Sequence, residues 1–426
     1  MHLHFIFPRW IKLLESHPHL RETLSGYDIG NFRMVGLGLT TAVGALPDGI
    51  DVTFVDDHVE EIDYSIKPDA VCLSFFTAQA GRAYEIADEF KKRGVPVIAG
   101  GIHPSMAPED TLLHVDAVIT GPVEGLWPQV LKDLKSSELK RVYTGTLDAA
   151  FAKPKTELFS RSNYLRAGVI QTARGCRVNC PFCIVPRCYG TDEIHKPIST
   201  VLEDIAELPH ACFFFGDENL LFTDPDNTAY TRQLLTEMIA RKLRKPSFMA
   251  NFPRFVKLVA DEDWKLLAKA GMRQIYLIVG MMAPLKKELR DQQLIDAILR
   301  ANDLGIQIFA TFTLGHDQDN EPVEPLIHDF CEATNNNLVE FTINVPFPGT
   351  HLHKIMQKRG RLLTRDWSRY NAAQVVFEPL HETPEQLEQR YLDLWNWFYQ
   401  DIGTDEMLGR YAKGFGGDII RTNRPA

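Results

Sequence analysis

Short apolar runs separated by amphipathic helices recur along the chain, and this alternation constrains the fold more than any other feature. In the first 135 residues or so, HLHFIF (2–7), DVTFVD (51–56), AVCLSFF (70–76), PVIAGG (96–101) and DAVITG (116–121) read as strands. Helical patterns follow at AGRAYEIADEFKKRG (80–94), around APEDTLLH (107–114) and at LWPQVLKDLK (126–135). A strand that is apolar throughout is buried on both faces, so the series predicts a parallel sheet covered by helices. Five such strands suit a flavodoxin-like, doubly wound (Rossmann-like) domain over residues 1–140. In such folds ligands sit at the carboxyl ends of the strands. That edge carries TAQAGR (77–82), GGIHPS (100–105) and GPVEG (121–125), rich in small and polar residues that a ligand can approach closely.

Residues 141–165, including KPKTELFSRSNY (153–164), read as a polar linker. A second series follows over 166–360: GVIQTA (168–173), ACFFFG (211–216), SFMANF (247–252), RQIYLIVG (273–280), IQIFATFTLG (306–315) and LVEFTINVPF (338–347). Six β–α repeats are too few for a closed eight-fold barrel, which leaves a partial barrel or a second doubly wound sheet. Residues 361–426 read as a small, mostly helical C-terminal extension, dense in aromatics such as Trp367, Tyr370, Trp395, Trp397 and Phe398 and frayed at its end. These aromatics are expected in the core.

Composition excludes several classes. A formal net charge of −10 argues against nucleic acid as partner. No apolar run approaches the length of a membrane span, and the opening MHLHFIFPRW reads as a buried strand rather than a secretory signal. Seven cysteines, an odd number gathered mostly in one loop, do not make a disulfide framework and point to the reducing cytoplasm.

That loop is ARGCRVNCPFCIVPRC (173–188). Cys176, Cys180 and Cys183 bring three soft thiolate donors into a tight turn, with Cys188 close behind. Four thiolates suit structural zinc; three suit an iron–sulfur cluster with one open iron. Spacing alone leaves both open.

The loop, its TARGC lead-in and Phe182 resemble the CX3CX2C signature of the radical S-adenosylmethionine (radical SAM) superfamily. The resemblance implies a partial (β/α)6 barrel with the cysteine loop after its first strand. It also implies a 4Fe–4S cluster on Cys176, Cys180 and Cys183, with the amino and carboxylate groups of SAM on the fourth iron. One electron from the cluster then cleaves SAM, usually giving a 5′-deoxyadenosyl radical that abstracts hydrogen from unactivated carbon. On this reading Cys188 is a small packed thiol. By position the resemblance assigns to SAM Phe182, the GDEN turn (Gly216, Asp217, Glu218 and Asn219), Asn251 and Arg254 of NFPR, and Gly315. The glycine–acid pair of related barrels after the fourth strand is replaced by VGMMAP, with Met281 and Met282.

The whole order, with RAYEIADEFKKRGVPVIAGGIHPSMAPED, DAVITGPVEGLWP, VPFPGTHLHKIMQKRGRLLTRDWSRYN and VVFEP, resembles radical SAM enzymes carrying an N-terminal cobalamin (B12)-binding domain. It implies cobalamin contacts from Thr77, Gln79, Gly100, Gly101, His103, Ser105, Gly121 and Glu124. There is no DxHxxG stretch, and DDHVEE (56–61) matches it only loosely, so no cobalt ligand is assigned. The expected function is cobalamin-dependent C-methylation of a small molecule or lipid intermediate, with a reductant such as flavodoxin or ferredoxin. A radical SAM enzyme without methylcobalamin, performing ring formation, oxidation or aminocarboxypropyl transfer, is the alternative. A zinc-stabilised binding protein using Cys188 is a third reading.

Overall fold

The computed structural model describes residues 1–24, 36–159, 167–217, 220 and 224–414. The strands β1 (His2–Phe7), β2 (Asp51–Asp56), β3 (Ala70–Ser74), β4 (Val97–Gly100), β5 (Ala117–Thr120) and β6 (Val142–Thr144) form one sheet in the order β2-β1-β3-β4-β5-β6. Every pairing is parallel. Neighbouring residues face opposite ways. Phe5, Cys72 and Ile98 enter one core with the helices Leu37–Gly44 and Trp127–Lys135. Ile6, Val71, Leu73 and Val97 enter the other with the helix Ala80–Lys92. Each fully buried aliphatic side chain of this kind contributes about 2 kcal/mol. The order 2-1-3-4-5 is that of the doubly wound fold, and β6 is an addition. It falls in the stretch expected to be linker, where Val142 and Thr144 are exposed and only Tyr143 is buried.

The second sheet comprises β7 (Ala167–Ile170), β8 (Cys212–Phe215), β9 (Ser247–Asn251), β10 (Met272–Val279), β11 (Gln307–Leu314) and β12 (Val339–Ile343). The strands lie in sequence order and are all parallel, and β7 does not pair with β12. The six-fold series is therefore an open, partial barrel. Amphipathic helices follow its strands, among them Ile198–Glu207, Pro225–Ala240, Asp261–Ala270, Gln292–Asp303 and Glu324–Ala333. Asp224 caps one by accepting from the amides of Asp226 and Asn227. Asp291 caps another through Gln293 and Leu294.

The C-terminal helix Pro384–Tyr399 seals the β12 flank. The Tyr399 hydroxyl donates to the Val339 carbonyl at 2.6 Å. Trp395 and Tyr370 are buried in the core, Trp367 and Phe398 pack half-buried against it, and Trp397 is exposed. No helix among the described residues is long and apolar enough to cross a membrane.

Candidate active site

The cysteine loop is fixed at its entrance. The amides of Thr172 and Ala173 both donate to Asp217 Oδ1, at 2.6 and 2.7 Å. Ala173–Arg174 then pair with Ile194–His195 as a two-residue antiparallel ribbon. Gly175 follows at φ +84°, and a Cβ there would lie 1.9 Å from the Asp192 carbonyl oxygen, so only glycine fits. Cys176 is buried, and Cys180 and Cys183 are half-buried. The Cys183 amide donates to the Cys180 carbonyl at 3.1 Å, closing the turn. Burial pushes the Cys180 thiol up and the nearby Arg254 guanidinium opposes this. Thiolate is the form that binds metal, so Arg254 favours the ligating state.

Cys188 ends the helix Val185–Cys188 that leads out of the loop. Among the described residues no three His, Cys, Asp or Glu side chains converge on one point as ligands of a single ion would.

The other residues assigned to SAM are placed as follows. The ring of Phe182 lies 6.2 Å from that of Phe252, at the end of β9. Gly216 sits against β7, where a Cβ would come 2.6 Å from Val169 Cγ1. Asp217 faces the backbone of the loop entrance. Burial pushes its carboxyl up to about 6, against the two amide donors. Glu218 and Asn219 lie outside the described residues. Asn251 is buried, with its Oδ1 accepting from the Phe252 amide. Arg254 is exposed beside Cys180. At Gly315 a Cβ would come 3.0 Å from Leu387 and Phe377, so the C-terminal extension closes on it.

One acid was not anticipated. Glu288, on the turn Leu285–Glu288, accepts from the Gly280 amide at 2.7 Å beside Met281 and Met282. Burial pushes its carboxyl up to about 7. A carboxylate thus stands at the end of β10, supplied from eight residues downstream of Gly280.

A cavity of about 120 Å³ lies where the carboxyl ends of the first sheet meet the barrel. Gly100, Gly101, Gly121 and Glu124 line it, together with Leu37, Ile119, Trp127 and the barrel residues Gln171 and Arg174. A pocket this small holds one arm of a cofactor, not the whole. The remaining tentative cobalamin residues do not line this cavity themselves, although Ser105 bonds to two glycines that do. Gln79 donates to the Pro8 carbonyl and accepts from the Phe76 amide. His103 is fully buried, 2.9 Å from the Tyr84 hydroxyl and 3.3 Å from that of Thr77. Burial lowers its pKa, and Asp110 opposes the shift. Ser105 bridges two loops, donating to the Gly101 carbonyl and accepting from the Gly121 amide. His58, of DDHVEE, has Nδ1 2.8 Å from Asp56 Oδ1 and Nε2 accepting from the Trp10 amide, so both ring nitrogens are taken.

Glu124 and Arg174 form a buried ion pair in the cavity wall, with side chains 5% and 4% exposed. The Arg174 guanidinium also stacks 4.3 Å over Phe151. Arg174 is two residues from Cys176, so this pair joins the cysteine loop to the first domain.

Comparison with known proteins agrees with this layout. A B12-binding domain matches residues 31–131, and the radical SAM superfamily domain matches residues 170–330. The chain is a radical SAM protein with an N-terminal B12-binding domain. This radical SAM protein is 27% identical to bacteriochlorophyllide d C-12(1)-methyltransferase of Chlorobaculum tepidum, over 81% of the chain and 78% of that protein. It is 25% identical to hopanoid C-2 methylase of Rhodopseudomonas palustris, over 85% and 71%. Its fold matches the radical SAM methyltransferase TsrM of Kitasatospora setae, solved with cobalamin and a 4Fe–4S cluster, with a TM-score of 0.62 and 16% identity. That match covers 84% of this chain and 78% of TsrM.

Proposed function

We propose that the protein is a cobalamin-dependent radical SAM methyltransferase acting on carbon of a small-molecule or lipid intermediate. The observation that carries this is the cavity at which the B12-binding sheet and the cysteine-loop strand meet, joined by Glu124 and Arg174. Methylases among the relatives match over most of the chain. When bound, the cluster and cobalamin supply one-electron cleavage of SAM and methyl carriage.

The chain's own residues do the rest. Cys176, Cys180 and Cys183 are the cluster ligands, and Arg254 favours the thiolate form of Cys180. Asp217 holds the loop entrance through Oδ1, and its buried Oδ2, which accepts no hydrogen bond among the described residues, is left for the ammonium of SAM. Phe182 and Phe252 form a half-buried apolar patch beside the loop. Gly100, Gly101 and Gly121 let the backbone approach the cofactor arm. No disulfide joins any of the seven cysteines, which fits a cytoplasmic location and oxygen-sensitive chemistry. A reductant such as flavodoxin or ferredoxin supplies the electron.

Anaerobic reconstitution with SAM, with and without cobalamin, followed by mass spectrometry of the SAM fragments tests this. S-adenosylhomocysteine that depends on cobalamin is expected. Methylthioadenosine would point to aminocarboxypropyl transfer, and 5′-deoxyadenosine indifferent to cobalamin to another radical reaction.

A further inference from the structure

The chain carries a net charge of −10, yet residues 341–365 contain no Asp or Glu and hold five Lys or Arg. Arg361 is buried against Asp317, and Arg359 faces the same acid. Lys354, Lys358 and Arg365 are exposed, and no ion pair holds them among the described residues. Lys354 and Lys358 stand one turn apart on the helix His351–Lys358, so they share a face.

This face borders an open groove of about 920 Å³ between the first domain and the segment after β12. Met106, Leu113, Lys354, Leu363, Arg365 and Trp367 line it. Leu113 is 74% exposed and Leu363 46%, an unusual pair of bare leucines beside positive charge that no ion pair holds among the described residues. Glu109 and Asp110 also line it from the first domain, whereas Lys354 and Arg365 on the barrel side are positive.

Both walls of the groove touch the cysteine loop. The Leu352 amide donates to the Pro181 carbonyl at 3.2 Å, and Pro181 is the exposed residue between Cys180 and Cys183. The helix Ile102–Met106 packs on Val185–Cys188. Arg187 and Arg254 are exposed on the loop and beside it, extending the positive rim. Burial and the nearby Arg365 lower the pKa of His353, in keeping with positive potential here.

We propose that this groove docks an acidic one-electron carrier protein against the Cys180–Cys183 side of the loop. The proposal rests on the radical SAM reading above. One electron leaves the carrier and reduces the cluster by one, leaving the carrier one electron more oxidised. The concave shape and bare leucines favour a protein over a flat bilayer, and the basic rim in an acidic molecule would steer an acidic partner to this face.

The test is stopped-flow reduction of the reconstituted cluster by a reduced acidic flavodoxin and, separately, by dithionite. The triple variant K354E/K358E/R365E is expected to slow reduction by flavodoxin about tenfold or more at low ionic strength. Reduction by dithionite should stay within about twofold of the wild type, and salt near 0.5 M should narrow the flavodoxin difference. An unchanged flavodoxin rate would overturn the proposal, as would both rates falling together, which would mean that these side chains support the loop itself. Loss of binding to phosphatidylglycerol vesicles with an unchanged flavodoxin rate would assign the face to a membrane surface instead. SAM cleavage driven by dithionite in both proteins separates this outcome from a failure of the radical SAM reading.

Discussion

Glu288 carries the clearest pH signature of any single residue at the barrel mouth. Its carboxyl is raised from 4.5 to about 7 by burial, against the Gly280 amide and Lys257. A raised acid favours the folded state when protonated. Its contribution is therefore fully present below about pH 4.5 and is lost as pH rises through 7. E288Q keeps an acceptor for the Gly280 amide and removes the titration. Thermal unfolding between pH 5 and 8 should show the wild type losing on the order of 2–3 kcal/mol that the variant keeps. At this scale the sequence was legible where chemistry needs a fixed spacing, as in the three cysteines. Glu288 was hidden because its carboxylate returns to Gly280 across a short turn, so VGMMAP looked bare of acid. Asp217 was visible as an acid at a strand end, but not that its oxygen would turn toward the Thr172 and Ala173 amides.

At the scale of elements, the ribbon and Gly175 decide how the cysteine loop leaves β7. G175A combines a left-handed φ of +84° with a Cβ 1.9 Å from the Asp192 carbonyl, a contact that backbone must move to relieve. Reconstituted G175A should hold less than half the iron of the wild type by metal analysis, while its helix content by circular dichroism stays the same. The two strand–helix series could be read from the sequence because both sheets are buried on both faces, giving unbroken apolar runs. β6 could not: only Tyr143 of its three residues is buried, and an edge strand that short carries no run to recognise. The part-buried network of Thr77, His103, Tyr84, Asp110 and Trp367 was also invisible, since it joins residues from the first domain to one near the other end of the chain. These residues sit at the ligand edge in sequence, but the fold spends them on holding the first domain to the C-terminal segment.

For the whole molecule, Glu124 and Arg174 link the two sheets at the cavity. Removing one partner leaves a buried, unpaired charge, which costs about 3–5 kcal/mol. Urea unfolding of E124Q, R174Q and the double variant should give a double-variant cost well below the sum of the singles. Additive costs would mean that the pair does not join the domains. The neighbourhood of the two cofactors is the central claim, and low-temperature electron paramagnetic resonance tests it most directly. The protein is loaded with cob(II)alamin and a reduced cluster, and its spectrum is compared with those of samples holding either one alone. Broadening or splitting of both signals is expected if the two paramagnets face one cavity. A spectrum equal to the sum of the separate signals would contradict it.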